Sequence, residues 1–121
     1  VGLEGAWGED ARRTINWEKP EKWDNDLFEG YQELIDIRKK SDALCNGGLR
    51  WIYVDENAFA YLRESSRESV LVFIARQGGR HTIDLAPLGY SIDLVLYGPQ
   101  MKGDKVRISS KSACSAVYRL K

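Results

Sequence analysis

The sequence predicts a mainly β protein, an antiparallel sandwich or barrel preceded by one α-helix and an irregular N-terminal loop. Three observations carry this expectation. Seven short segments between Arg50 and Leu120 read as strands, each bounded by turn chemistry. One stretch beginning near Asp24 spaces its apolar residues for a helix instead. Before Asp24 neither period is present.

The loop, Val1 to about Trp23, opens with three Gly, two Trp and the cluster Glu9, Asp10, Arg12, Arg13 within its first 17 residues. Gly is costly to order, so such a run is expected to be held by a scaffold, and scaffolded loops are where binding and catalysis concentrate. The segment has no initiator Met and no signal-peptide pattern, and reads as the interior of a longer chain. Standing alone, it is expected to be mobile or held by a second copy.

The helix follows. Asp24 or Asn25 can cap its first turn, Asp26 and Glu29 suit its positive end, and Arg38, Lys39 and Lys40 suit its negative end. Leu27, Tyr31, Leu34, Ile35 and Arg38 form one stripe, and Gly47-Gly48 ends the region, with Leu44 tucked into the core. Gly30 costs this helix about 1 kcal/mol relative to Ala, so it requires a surface to pack on.

The strand candidates are Arg50–Val54, Ala58–Arg63, Ser69–Arg76, His81–Leu85, Ser91–Tyr97, Lys105–Ile108 and Ser112–Leu120. Ile83 and Leu85 alternate with Thr82 and Asp84, and Cys114, Ala116, Tyr118 and Leu120 form a second apolar row. Val70 to Ala75 has no polar side and should be a central strand covered on both faces. Asp55-Glu56-Asn57, Gln77-Gly78-Gly79, Gly98-Pro99 and Lys102-Gly103-Asp104 supply the turns.

Composition narrows the function. Eighteen basic residues balance 18 acidic ones, so the electrostatic footprint of a nucleic-acid binder is missing. No apolar run is long enough for a transmembrane helix. Cys45 and Cys114 are not a CxxC pair, and with the single His81 they make no zinc set. Two buried, reduced thiols are expected, which fits a cytoplasmic, reducing compartment. His81, at the start of an alternating segment, reads as a strand-surface residue. Asp84, Asp93 and Asp104 read as solvated, and Trp51, Tyr53, Phe59, Tyr61 and Tyr97 as core or rim aromatics that could also stack on sugars. The strand region holds no catalytic triad, phosphate loop or metal cluster, and no catalytic residue, cofactor or metal is assigned. In the loop, Arg12 with Glu9 or Asp10 is the candidate substrate-binding set, since a guanidinium makes planar, paired hydrogen bonds to hydroxyls or a carboxylate.

The order of these features resembles a known family. Gly2-Leu3-Glu4-Gly5 followed by Gly8-Glu9-Asp10-Ala11-Arg12-Arg13-Thr14-Ile15-Asn16-Trp17 is similar to the stretch after the eighth barrel strand of α-amylase family enzymes (glycoside hydrolase family 13). Members close to neopullulanase, cyclomaltodextrinase and α-glucosidase carry there an Arg-Arg pair and a Trp-containing ending. Leu27 through Leu44 resembles the family's final barrel helix, of the form L-x-x-x-Y-x-x-L-I-x-L-R-x-x-x-x-A-L. Phe59-Ala60-Tyr61-Leu62-Arg63 and Val70-Leu71-Val72-Phe73-Ile74 resemble strands of the β-sandwich, domain C, that follows it. Thr14, Asn16 and Asp42 stand where the family usually has proline, and Gly8 where several relatives have Asp.

The resemblance implies a Greek-key sandwich of the domain C type over residues 47–121, and over 1–46 the last loop and last helix of a (β/α)8 barrel. It implies that the parent enzyme cleaves α-glucosidic bonds of starch-, maltodextrin- or maltooligosaccharide-type substrates. The paired carboxylates of retaining hydrolysis lie on barrel strands upstream of Val1, so this chain alone is expected to be inactive. The implied partners are an α-glucan and the barrel, with self-association a further expectation. Two rivals remain: an independent carbohydrate-binding sandwich, and a parent that transfers or isomerises glucosyl units.

Overall fold

The computed structural model describes Gly5, Trp7, Gly8 and residues 12–121. It divides into two compact units, one ending at Asp36 and the other Ile37–Lys121.

In the first unit a short 3₁₀ helix, Pro20–Lys22, precedes helix α1, Asn25–Lys40. Asp24 is the cap, its carboxylate accepting from Leu27 N–H at 2.9 Å, as its acidic side chain at a helix start favours. None of the 16 residues of α1 is buried, and Leu27, Tyr31 and Ile35 of the expected stripe are exposed.

In the second unit α1 does not run on to Gly47. It stops at Lys40, and a separate short helix α2, Asp42–Asn46, starts behind Ser41. Ser41 caps α2 by accepting from Leu44 N–H, while its hydroxyl donates to Glu68; the same Glu68 oxygen accepts from Ala43 N–H at 2.9 Å. A carboxylate from the turn between two strands thus fixes the break. Ala43, rather than Leu44, is the fully buried residue of this helix.

The strands are β1 (Gly48–Val54), β2 (Ala58–Glu64), β3 (Ser69–Ala75), β4 (Gly79–Asp84), β5 (Ile92–Tyr97), β6 (Lys105–Ser110) and β7 (Cys114–Leu120). All pairings are antiparallel, in a five-stranded sheet ordered β1-β2-β3-β7-β5 and a two-stranded sheet β4-β6. From β3 onward the chain changes sheet at every connection, which makes the expected two-sheet sandwich. Leu62, Leu71, Phe73 and Tyr118 from the large sheet and Ile83, Val106 and Ile108 from the small one form one core. Tyr118 is wholly buried, and its hydroxyl donates to the Pro99 carbonyl at 3.0 Å. Gly98, at φ +93°, makes this turn possible, because a Cβ there would lie 2.8 Å from the Ser115 carbonyl oxygen.

β3 is central, as its wholly apolar sequence requires: Leu71 and Phe73 face the sandwich core, and Val70 and Val72 are buried on the other side. Two expectations are corrected. His81 is buried, not on the strand surface, because it shares the inward phase of Ile83. The thiols are free but not both buried: Cys45 is exposed and Cys114 half-buried. Asp84, Asp93 and Asp104 are exposed as expected.

Candidate functional site

The loop carries the sequence's candidate binding set. Arg12 and Arg13 are exposed; Glu9 and Asp10 lie outside the described residues. The loop's end is held by aromatic packing. The Trp23 indole N–H donates to the Asn16 carbonyl at 2.9 Å, and Trp23 lies edge-on between Trp17 and Phe28, with ring centroids 5.7 and 6.2 Å apart. Phe28 belongs to α1, so the helix start anchors the approach to the Arg pair. Trp7, at 99% exposure, and Trp17, at 70%, are exposed aromatic rings of the same loop. Among the described residues no three His, Cys, Asp or Glu side chains gather to hold a metal ion. No helix among them is long and apolar enough to cross a membrane.

A second surface was only partly legible in sequence. Cross-strand partners share a face, so Trp51, Tyr61, Val72 and Val117 form one row on the outward face of the large sheet, with Phe59 and Ile74 beside them. A bulge between Trp51 and Tyr53 turns both Ile52 and Tyr53 toward the core and leaves Trp51 and Val54 facing out. Trp51 stands edge-on to Phe59 and to Tyr61, each 5.4 Å away, while Phe59 and Tyr61 stack nearly parallel with centroids 6.3 Å apart.

Two polar clusters escaped the sequence reading. Tyr53 donates to Asp55 at 2.5 Å, and His81 Nδ1 lies 3.1 Å from the Tyr53 hydroxyl and 3.3 Å from Asp55 Oδ2. Since the hydroxyl has one proton and gives it to Asp55, the ring proton of His81 belongs on Nδ1. Among the described residues His81 Nε2 is buried without a hydrogen-bond partner and lies 2.8 Å from where a Cβ on Gly79 would stand, so a side chain there would have to displace the His81 ring. The Tyr53 hydroxyl, then the Asn57 and Ala58 amides and the His81 ring, hold the Asp55 carboxyl down at about 2, and the same bond pushes the Tyr53 hydroxyl up. The group ties β1 of one sheet to β4 of the other. In the second cluster Arg50 grips Glu64 with two nitrogens, at 2.7 and 3.1 Å, and Tyr90 donates to the same carboxylate at 2.7 Å. Those bonds, Arg50 first, lower the Glu64 carboxyl. Both clusters pin strands together, and neither opens onto a cleft with an unengaged acid and base. The signal for His81 was its phase: His81, Ile83 and Leu85 lie on one face.

No family model matches the chain. Over 85 residues it is 33% identical to a cyclomaltodextrinase from a Bacillus species, an alignment taking in 69% of this chain and 15% of the relative. Neopullulanase 2 from Thermoactinomyces vulgaris is also 33% identical over 85 residues, 69% of this chain and 14% of the relative. A trehalose-6-phosphate hydrolase from Bacillus subtilis is 33% identical over 113 residues, 89% of this chain and 20% of the relative. Among solved structures, isomaltulose synthase from Klebsiella sp. LX3 superposes on 93% of this chain with TM-score 0.67 at 22% identity, using 20% of its own length. The trehalulose synthase of Pseudomonas mesoacidophila MX-45 gives the same TM-score and identity over 21% of its length. At that identity the structural likeness concerns the fold. The chain spans a fifth or less of the curated relatives it matches, and by sequence it belongs to the α-amylase family, glycoside hydrolase family 13.

Proposed function

We propose that this chain is the C-terminal, non-catalytic portion of a glycoside hydrolase that acts on α-glucosidic bonds of starch-, maltodextrin- or maltooligosaccharide-type substrates. Residues 1–46 would supply the last loop and last helix of its barrel, and residues 47–121 the sandwich behind it. The observation that carries this reading is α1. Its stripe Leu27, Tyr31, Ile35 has the spacing of a packed helix, yet the helix buries no residue, which is what a helix separated from its neighbours looks like. Relatives with names of α-glucan and disaccharide enzymes, each several times longer than this chain, support the same reading.

In the parent the loop would stand at the C-terminal face of the barrel, where active sites of that fold are built. Arg12, with Glu9 or Asp10, would shape the glycone-side subsites by hydrogen bonding to sugar hydroxyls, while the hydrolytic carboxylates come from upstream. Two free thiols suit a cytoplasmic setting. Against an independent carbohydrate-binding module stands the aromatic cluster: Trp51 is edge-on to both neighbours, so the three rings do not form a flat platform.

The test is the coding sequence upstream of Val1 together with the product it encodes. Eight strand–helix units bearing the carboxylate pair, and hydrolysis of maltooligosaccharides, are expected; Arg12→Ala in that product should raise KM for short substrates more than it lowers kcat. A different upstream domain, or a 121-residue chain that alone cleaves or saturably binds maltooligosaccharides, would overturn the proposal.

A further inference from the structure

We infer that Asn46 is a site of covalent modification: its side chain closes onto the Gly47 nitrogen, loses ammonia and leaves aspartate or isoaspartate at the joint between α2 and β1. The opening of α2 sets the rate.

The sequence singles out the position. Of the four Asn, at 16, 25, 46 and 57, only Asn46 precedes a glycine. Asn is a thermolabile residue, and Gly has no Cβ to shield its nitrogen or hinder its rotation. In the reaction the Gly47 nitrogen bonds to Asn46 Cγ, the Cγ–Nδ2 bond breaks, and ammonia departs with the Gly47 amide proton. Water then opens the five-membered imide at either carbonyl, giving aspartate or isoaspartate. The fold holds the glycine in place, because a Cβ on Gly47 would lie 2.6 Å from the Ala43 carbonyl oxygen and 2.7 Å from that of Glu64.

The folded geometry holds the reaction back. Gly47 N–H donates to the Ala43 carbonyl at 2.9 Å, which engages the attacking nitrogen. The Asn46 amide donates to Asp42 Oδ1 at 3.0 Å, one turn back along the helix. Asn46 is the last residue of α2, and helical side chains lean toward the N-terminus, away from the nitrogen that follows. Each of these restraints lasts only while α2 is formed. At five residues α2 is far too short to be stable by itself, and it depends on the Ser41 cap and on Glu68. Asn46 is exposed, so water reaches it once the turn opens. Asn57 offers the contrast: it precedes Ala58, and its side-chain oxygen accepts from Arg76 Nε at 2.9 Å.

The product alters the joint. Aspartate at 46 replaces the bond to Asp42 with a like-charge pair one turn apart. Isoaspartate adds a methylene to the main chain directly before Gly47, whose carbonyl accepts from Arg63 at 2.7 Å. Either change weakens the hold of the helix on the first strand.

The test incubates the 121-residue chain at fixed, mildly alkaline pH and follows each Asn by peptide mass spectrometry. Asn46 should convert first, and at least about tenfold more slowly in the folded chain than in denaturant. Ser41→Ala should speed conversion in the folded chain about fivefold, the factor a lost helix cap gives through the opening equilibrium, and leave the rate in denaturant unchanged. Asp42→Ala, which frees the Asn46 amide, should speed it about twofold. Amide protection of Val70–Phe73 checks that each variant remains folded. The longer polypeptide that the intact gene is proposed to encode should show the same acceleration by Ser41→Ala, since Ser41, Asn46 and Glu68 belong to one unit. Earlier conversion at Asn57, or equal Asn46 rates in the folded chain and in denaturant, would overturn the inference. So would a folded-state rate that neither substitution moves while β3 stays protected.

Discussion

Strand β3 and helix α1 are both written with large apolar side chains, and they meet opposite fates. In β3, Val70, Leu71 and Phe73 are completely buried, between the second sheet on one side and α2 with its neighbours on the other. In α1, Leu27, Tyr31 and Ile35 recur at helical spacing and all remain exposed. Helices owe most of their stability to packing of an amphipathic face, whereas a central strand is held by ladders on both edges. The difference separates a part of the molecule that covers its own apolar side chains from a part whose apolar stripe stays exposed.

That contrast can be broken in five ways, from the largest effect down. Phe73→Ala should cost about 3–5 kcal/mol, because it opens a cavity in a closed core. Chemical denaturation should show the same loss in the 121-residue chain and in the longer polypeptide; a loss confined to the longer form would mean that the sandwich does not complete its own core. Ile35→Glu should do the reverse. It should cost roughly 1.5–3 kcal/mol in the longer polypeptide, where the proposed barrel would cover the stripe, and less than about 0.5 kcal/mol in the short chain. Ser41→Ala removes the cap of α2 and one of the two donors to Glu68, and should cost about 1 kcal/mol in either form. Retention of full stability would show that α2 needs no cap.

The fourth concerns acid. Asp55 titrates lower in the folded chain, at about 2, than its ordinary 3.8, so its stabilising contribution is present above pH 3.8 and is lost as pH falls toward 2. Asp55→Asn should flatten that limb of the stability–pH curve while leaving the behaviour of α1 unchanged. Tyr118 behaves oppositely: burial pushes its hydroxyl up to about 12 from 10, so its contribution is intact below pH 10 and disappears as pH rises toward 12. Tyr118→Phe should remove that alkaline loss.

How much of this could be read in the sequence depended on whether its cause was local. The seven strands and the cap at Asp24 follow from side-chain alternation and one acidic residue, and both are where the sequence places them. The break at Ser41 was not legible, because the residues after it continue a plausible helix. Glu68, 27 residues away, captures Ser41 and imposes the second start. His81 carried a readable phase with Ile83, but its partners Tyr53 and Asp55 come from the other sheet, so the residue type suggested surface while the fold supplied a buried bond. The outward placement of both Trp51 and Val54 depends on a one-residue bulge at Ile52, for which the sequence has no glycine or proline marker. In the loop, Arg12 was legible as a candidate by its chemistry, and the role proposed for it depends on the proposed barrel.

The central claim, that the sandwich is complete and α1 is not, is tested most directly by amide hydrogen exchange on the monomeric 121-residue chain and on the polypeptide encoded by the intact gene. In the short chain, Leu27–Asp36 should exchange at least about a hundredfold faster than Val70–Phe73, and in the longer polypeptide the helix should rise to comparable protection. Helix amides as slow as those of β3 in the monomeric short chain would contradict the account.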